Sequence, residues 1–130
     1  MLKPSIVFAA LCSLSMTCAA EDIYTSTYSA CMDKSGGVTV EMLNCISQEL
    51  DTQDAKLNAA YRKLAAGLSP ERKRQLVAAQ RIWVQYRDAN CKFYADSDGG
   101  SISGVNSNEC VLRETTERAN ELEILGSAEQ

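Results

Sequence analysis

Six cysteines in 130 residues, with no histidine anywhere, set the tightest limit on what this chain can become. Two of them, Cys12 and Cys18, fall in an N-terminal stretch, MLKPSIVFAALCSLSMTCAAED, with a lysine near its start, an apolar run from Ile6 to about Met16, and small residues at Cys18 and Ala20. That order is the order of a secretory signal, with cleavage expected after Ala20 and a run too short to stay in a bilayer as an anchor. Lipid attachment at Cys18 is disfavoured, because Thr17 stands where a small Ala or Gly is expected before the lipidated cysteine. Residues 1–20 are therefore read as a signal peptide and residues 21–130 as a single small domain, periplasmic or secreted.

Four cysteines remain in that domain: Cys31, Cys45, Cys91 and Cys110. An even set in a small exported chain reads as a disulfide framework. No pair has CxxC spacing, and without histidine a zinc site would need all four thiolates gathered from distant segments. Neither metal nor cofactor is expected. Of the three possible pairings, 31 with 45 and 91 with 110 are the local ones, and each would constrain the unfolded chain by roughly 3 kcal/mol in the loop-entropy model. A domain of this size buries one modest core, so such staples matter.

Hydrophobic period fixes the fold class. From Thr39 the sequence places Leu43, Ile46, Leu50, Leu57, Tyr61, Leu64 and Leu68 at helical spacings, with a gap near Gln53 and Asp54. Thr39 is the expected cap, Glu41 suits the first turn, and Gly67 marks the stop. LSPERKRQL is a second start signal, with Ser69 as cap, Pro70 at the first helical position and Glu71 just inside. So short a connection turns the chain back into an antiparallel hairpin, over about Thr39 to Leu68 and Pro70 to Asp96. The expected contact stripe of its second arm is Leu76, Ala79, Trp83, Tyr86 and Phe93.

Asp96 to Glu109 is rich in Gly, Ser and Asn and reads as a loop. Asn108 is the expected cap of a last helix, with Leu112, Thr115, Ala119, Leu122 and Leu125 as its stripe and an end near Gly126. Ahead of the hairpin, YTSTYSACMDKSGG allows one or two helical turns before Gly36 and Gly37. The expected fold class is all-α, a small disulfide-stapled helical bundle built on a long antiparallel helix hairpin.

The densest stretch is QRIWVQYRDANC, Gln80 to Cys91. Gln80, Trp83, Arg87 and Cys91 share one row at spacings of three and four, with Tyr86 and Asn90 beside it. This is a structural seam, with Trp83 and Tyr86 at the boundary of core and solvent, and Arg87 able to reach Asp51 or Asp54 across the hairpin. Truncating a fully buried Trp83 to Ala would cost roughly 3 to 5 kcal/mol.

LNAAYRKL, a short turn, LVAAQRIWVQYRDANC and a downstream cysteine together resemble the LprI-like lysozyme inhibitor family of secreted and lipid-anchored bacterial proteins. The resemblance runs from about Cys31 to Leu125 and is carried best by Gln80, Trp83, Tyr86, Arg87 and Cys91 with the flanking Cys45 and Cys110. It implies an α-helical, disulfide-bonded envelope protein, some of whose relatives inhibit lysozyme.

Function is narrowed by what the residues exclude. Removing residues 1–20 takes away Lys3 and no acid, so the formal charge moves from −4 to about −5. An acidic chain is a poor nucleic-acid binder and a better match for a cationic protein. Histidine-based nucleophilic catalysis is absent, and no glycine-rich phosphate loop or HExxH motif occurs. The expected role is a binder, and not an enzyme, that blocks lysozyme or another cationic cell-wall hydrolase. An envelope interaction module without inhibitory activity is the alternative. Unrelated bacterial lysozyme inhibitors use a serine-glycine loop followed by tyrosine, and SISGVNS offers a partial echo without the tyrosine. Its Ser101, Ser103, Gly104, Val105 and Asn106, in a loop held between Cys91 and Cys110, are the expected contact residues.

Overall fold

The computed structural model describes residues 23–96 and 98–128. It contains four helices: α1 (Ser26–Ser35), α2 (Thr39–Gly67), α3 (Pro70–Phe93) and α4 (Gly100–Ala128). No strand occurs among the described residues, which makes the chain the expected all-α, disulfide-stapled bundle. Residues 1–20, expected to form a signal peptide and containing Cys18, lie outside them.

Local chemistry sets the ends of the first three helices. Thr25 caps α1 by accepting from the Tyr28 amide, and Gly36 closes it at φ 57°, a left-handed conformation that a side chain would strain. Ser69 accepts from the Arg72 amide at 3.3 Å, with Pro70 and Glu71 in the first turn as expected. The cap of α2 sits one residue earlier than expected: Val38 occupies it without a side-chain bond, and Thr39 is already helical. The Thr39 hydroxyl instead donates to Ser101 Oγ at 3.5 Å, at the start of α4.

The chain reverses at Leu68–Ser69 into α3, so the hairpin exists in the path of the chain. Its packing differs from expectation. The principal partner of α2 is α4, which runs parallel to it. Thr39 lies by Ser101, Ile46 and Cys45 pack with Val105 and Leu112, Leu57 with Ala119 and Leu122, and Leu64 meets Gly126. The reason lies in the side chains. The buried row of α4, from Ser103 and Val105 through Leu112, Thr115, Thr116, Ala119 and Leu122 to Gly126, combines leucines with small residues along 29 residues, the same length as α2. At Gly126 an added Cβ would already be in van der Waals contact with Leu64. α3 offers no equal surface: Leu76 and Trp83 are half-buried, Cys91 is its one buried residue, and Ala79, Tyr86 and Phe93 are exposed.

The loop expected over Asp96 to Glu109 is short, because α4 begins at Gly100. Asn108 lies inside it, and its amide donates to the Gly104 carbonyl one turn back. Tertiary contacts override the weak helix propensity of Gly and Ser here. Ser103 and Val105 are buried, the Ser107 hydroxyl donates to the Cys91 carbonyl at 3.0 Å, and Cys110 is bonded to Cys91.

Both expected disulfides are formed, Cys31–Cys45 and Cys91–Cys110. The first ties α1 antiparallel to the start of α2, and the second ties the end of α3 to α4. The core has two parts. One, around Tyr28, Cys45, Ile46, Val105 and Leu112, is stapled; the other, around Leu57, Leu64, Ala119 and Leu122, is closed by Leu76 and Trp83 from α3.

Candidate functional site

Two regions gather polar chemistry. The first is the seam of α3, whose hydrogen bonds to other helices all go to α4. Gln80 Oε1 accepts from Arg118 Nε at 3.0 Å, Arg87 Nη1 donates to Thr115 Oγ1 at 3.4 Å, and Asn90 donates to Glu114 at 3.4 Å. Arg87 and Arg118 lie over the Trp83 ring, with guanidinium carbons 5.2 and 5.9 Å from its centroid. The row Gln80, Trp83, Arg87, Cys91 therefore holds α3 to α4 through polar and cation–π contacts. Arg87 pairs with its neighbour Asp88 at 2.8 Å and not with Asp51 or Asp54, which are exposed on α2. The antiparallel helix within its reach is α4. Tyr86, 55% exposed, takes no part in the seam.

The second region is the junction of α1, α2 and α4. Tyr24 and Tyr28 sit one helical turn apart with rings edge to face at 5.1 Å. Tyr28 donates its phenol proton to Glu109 Oε1 at 2.9 Å, joining α1 to α4 across 81 positions of sequence. Below them Glu49 is 3% exposed. One of its oxygens accepts from the Thr25 amide at 2.9 Å and Gln53 Nε2 at 2.7 Å, and the other from the Thr25 hydroxyl at 2.5 Å. Glu49 thus fastens the N-terminus of α1, whose partial positive charge suits a carboxylate. The gap in the α2 stripe near Gln53 is this pair, Glu49 and Gln53, one turn apart and both in the register of Ile46 and Leu57. That shared register was the signal for a buried polar link.

The electrostatics follow from this crowding. Burial pushes the Tyr28 phenol well above its ordinary range, helped by its bond to Glu109. Tyr24 is raised too, by burial first and then by Glu109, Glu117 and Glu49, with Arg113 opposing. For Glu49 burial works upward, but the bonds from Thr25 and Gln53 outweigh it and hold the carboxyl below its ordinary value. Along α4 the row Asn106, Glu109, Arg113, Glu117 runs at helical spacing, and α4 carries five glutamates against two arginines. α3 has the opposite balance, with Arg72, Lys73, Arg74, Arg81, Arg87 and Lys92 against Glu71 and Asp88.

The contact residues expected from SISGVNS lie in the first two turns of α4. Ser103 and Val105 face the core, Gly104 is half-buried, and Ser101 and Asn106 are exposed. The segment is thus a helical face and not a flexible loop. No group of side chains suited to a metal ion occurs among the described residues, and no helix there is long and apolar enough to cross a membrane. The exposed carboxylates of Glu109 and Glu117, beside the half-buried Tyr24 ring, give this face a negative charge that attracts cations.

The family model described as Lysozyme inhibitor LprI matches residues 31–122, most of the chain. The span begins at the first bonded cysteine and ends at Leu122 in the second core cluster. An uncharacterized protein of Rhizobium meliloti (strain 1021) is 31% identical over 100 residues, covering 65% of this chain and 72% of the relative. No solved structure matches. Two formed disulfides and a match to lysozyme inhibitors both suit an extracytoplasmic protein.

Proposed function

The chain belongs to the LprI lysozyme inhibitor family, and from that premise we propose that it is an exported, lipid-free protein that binds and blocks a lysozyme or a similar cationic cell-wall hydrolase. The observation that carries the reading is the acidic face at the junction of α1 and α4: exposed Glu109 and Glu117 stand beside the half-buried Tyr24 and continue along α4 to exposed Asn106, with the buried Tyr28 holding Glu109 in place. A basic hydrolase is drawn to this face by charge, whereas the basic α3 face repels it. Rigidity supports the same choice, because a helix pinned by Cys91–Cys110 loses little freedom on binding.

A turbidity assay of cell-wall lysis tests it. Glu117→Lys and Glu109→Gln should each weaken inhibition about tenfold at low salt, mainly by slowing association, with the difference fading above physiological ionic strength, where the Debye length is about 8 Å. Lysis unchanged by excess wild-type protein, with no complex formed, would establish an envelope interaction module in its place. Inhibition equal in wild type and both variants would move the contact to another face.

A further inference from the structure

The residues that α3 leaves outside the bundle are not a random set. Ala79, Ile82, Tyr86, Ala89 and Phe93 are all exposed and recur at alternating spacings of three and four, the a and d positions of a heptad. Phe93 is 86% exposed, Ile82 65% and Tyr86 55%. The seam row, Gln80, Trp83, Arg87 and Cys91, lies on a different side of the helix, so packing against α4 does not use the stripe.

We infer that this stripe pairs with the same stripe of a second copy of the chain, the two α3 helices running antiparallel about a two-fold axis at Tyr86. Three features of the chain select that occupant and orientation. First, size alternates as an isologous contact requires: Tyr86 meets its own copy on the axis, and on either side of it Ala79 meets Phe93 of the second copy and Ile82 meets Ala89, so that each of these flanking large side chains faces a small one. Second, charge is complementary. The register sets Lys73 and Arg74, exposed in the first turns of α3, beside the exposed Asp96 and Asp98 that follow α3 in the second copy. A parallel pairing would instead set basic turn against basic turn. Third, the area fixes the strength. With aromatic side chains burying roughly 150 to 250 Å² each, the stripe supplies about 400 Å² per copy and about 800 Å² for the pair. That is below the roughly 1,200 Å² where standard stable interfaces begin, so the dimer is reversible and depends on concentration.

Sedimentation equilibrium of the mature protein over a wide concentration range reads this directly. Wild type shifts from monomer to dimer mass as concentration rises. Ile82→Glu with Phe93→Glu stays monomeric, and since both side chains are already exposed, an unchanged circular dichroism spectrum and melting temperature show that the fold survives. Arg74→Glu alone weakens the dimer about tenfold at low salt by setting like charges together, and adding Asp98→Arg to the same chain restores it. Wild type that remains monomeric throughout would overturn the proposal and leave the stripe to a different protein. A dimer that survives Ile82→Glu with Phe93→Glu would also overturn it. Failure of Asp98→Arg to rescue Arg74→Glu would overturn the antiparallel register.

Discussion

The two halves of the α2–α4 pair solve the same packing problem by different means. In the half near Thr39 and Gly100, both disulfides, the Glu49 network and the Tyr28–Glu109 bond converge on a core whose sequence is poor in helix formers. In the half near Gly67 and Ala128, Leu57, Leu64, Ala119 and Leu122 pack without any covalent link. Covalent and polar ties are placed where Gly100, Ser101, Ser103 and Gly104 make helix formation least favourable. Where leucines suffice, covalent ties are absent. The cysteines thus hold together the segment that could not hold itself.

That contrast is open to direct attack at its leucine end. Leu122 is fully buried, and Leu122→Ala should cost about 3 to 5 kcal/mol, read from denaturant midpoints, since no cross-link limits the damage. At the stapled end, Cys91→Ser with Cys110→Ser should cost about 3 kcal/mol for a bridge spanning 19 positions. Hydrogen exchange should then rise first at residues 100–108 and leave the amides around Ala119, residues 116–122, protected. Uniform loss of protection along α4 would erase the distinction between the halves. Trp83→Ala should be milder, about 2 kcal/mol, because the indole is only partly buried, at the edge of the Leu57–Leu122 cluster and beneath Arg87 and Arg118. A loss as large as that of Leu122→Ala would place Trp83 in the core.

Much of this was legible in the sequence, and the failures are physical. The period of α2, the Ser69–Pro70 start of α3 and the local pairing of cysteines are local signals, and local structure follows them. The start of α4 was hidden because Gly99 to Asn108 carries turn residues, and its helicity comes from contacts with Cys91 and α2 that no window of sequence contains. The choice of α4 over α3 as partner for α2 was hidden for a related reason. Tyr86 and Phe93 look like core residues by type, yet small residues on α4, Thr115, Thr116, Ala119 and Gly126, admit closer approach than aromatic ones. Of the residues expected to make contact, Ser101 and Asn106 reach the surface, whereas Ser103 and Val105 are consumed by packing. Tyr24, Tyr28 and Glu109 lie on distant segments, so their junction had no signature as a motif.

The smallest effect expected from this comparison is the one that isolates the polar tie. Glu49→Gln keeps the size and one acceptor but turns an amide toward donors that expect an oxygen, and should cost about 1 to 2 kcal/mol at neutral pH. The pH dependence gives the sign. Because the folded carboxyl lies below its unfolded value, its contribution is complete above the unfolded pKa and is lost as pH falls through the folded one. Wild type should therefore lose stability relative to Glu49→Gln on acidification, and the two should converge in strong acid. Tyr28 acts at the other limit. Its raised pKa favours the protonated phenol in the folded state, so its contribution is present below about pH 10 and fades above it as the unfolded phenol ionises. Tyr28→Phe should remove that alkaline loss while leaving the acid limb unchanged. Thermal melts of the three proteins across pH decide the matter: parallel acid limbs in wild type and Glu49→Gln would show that the Glu49 carboxylate adds nothing to the hold that Cys31–Cys45 and Tyr28 have on α1.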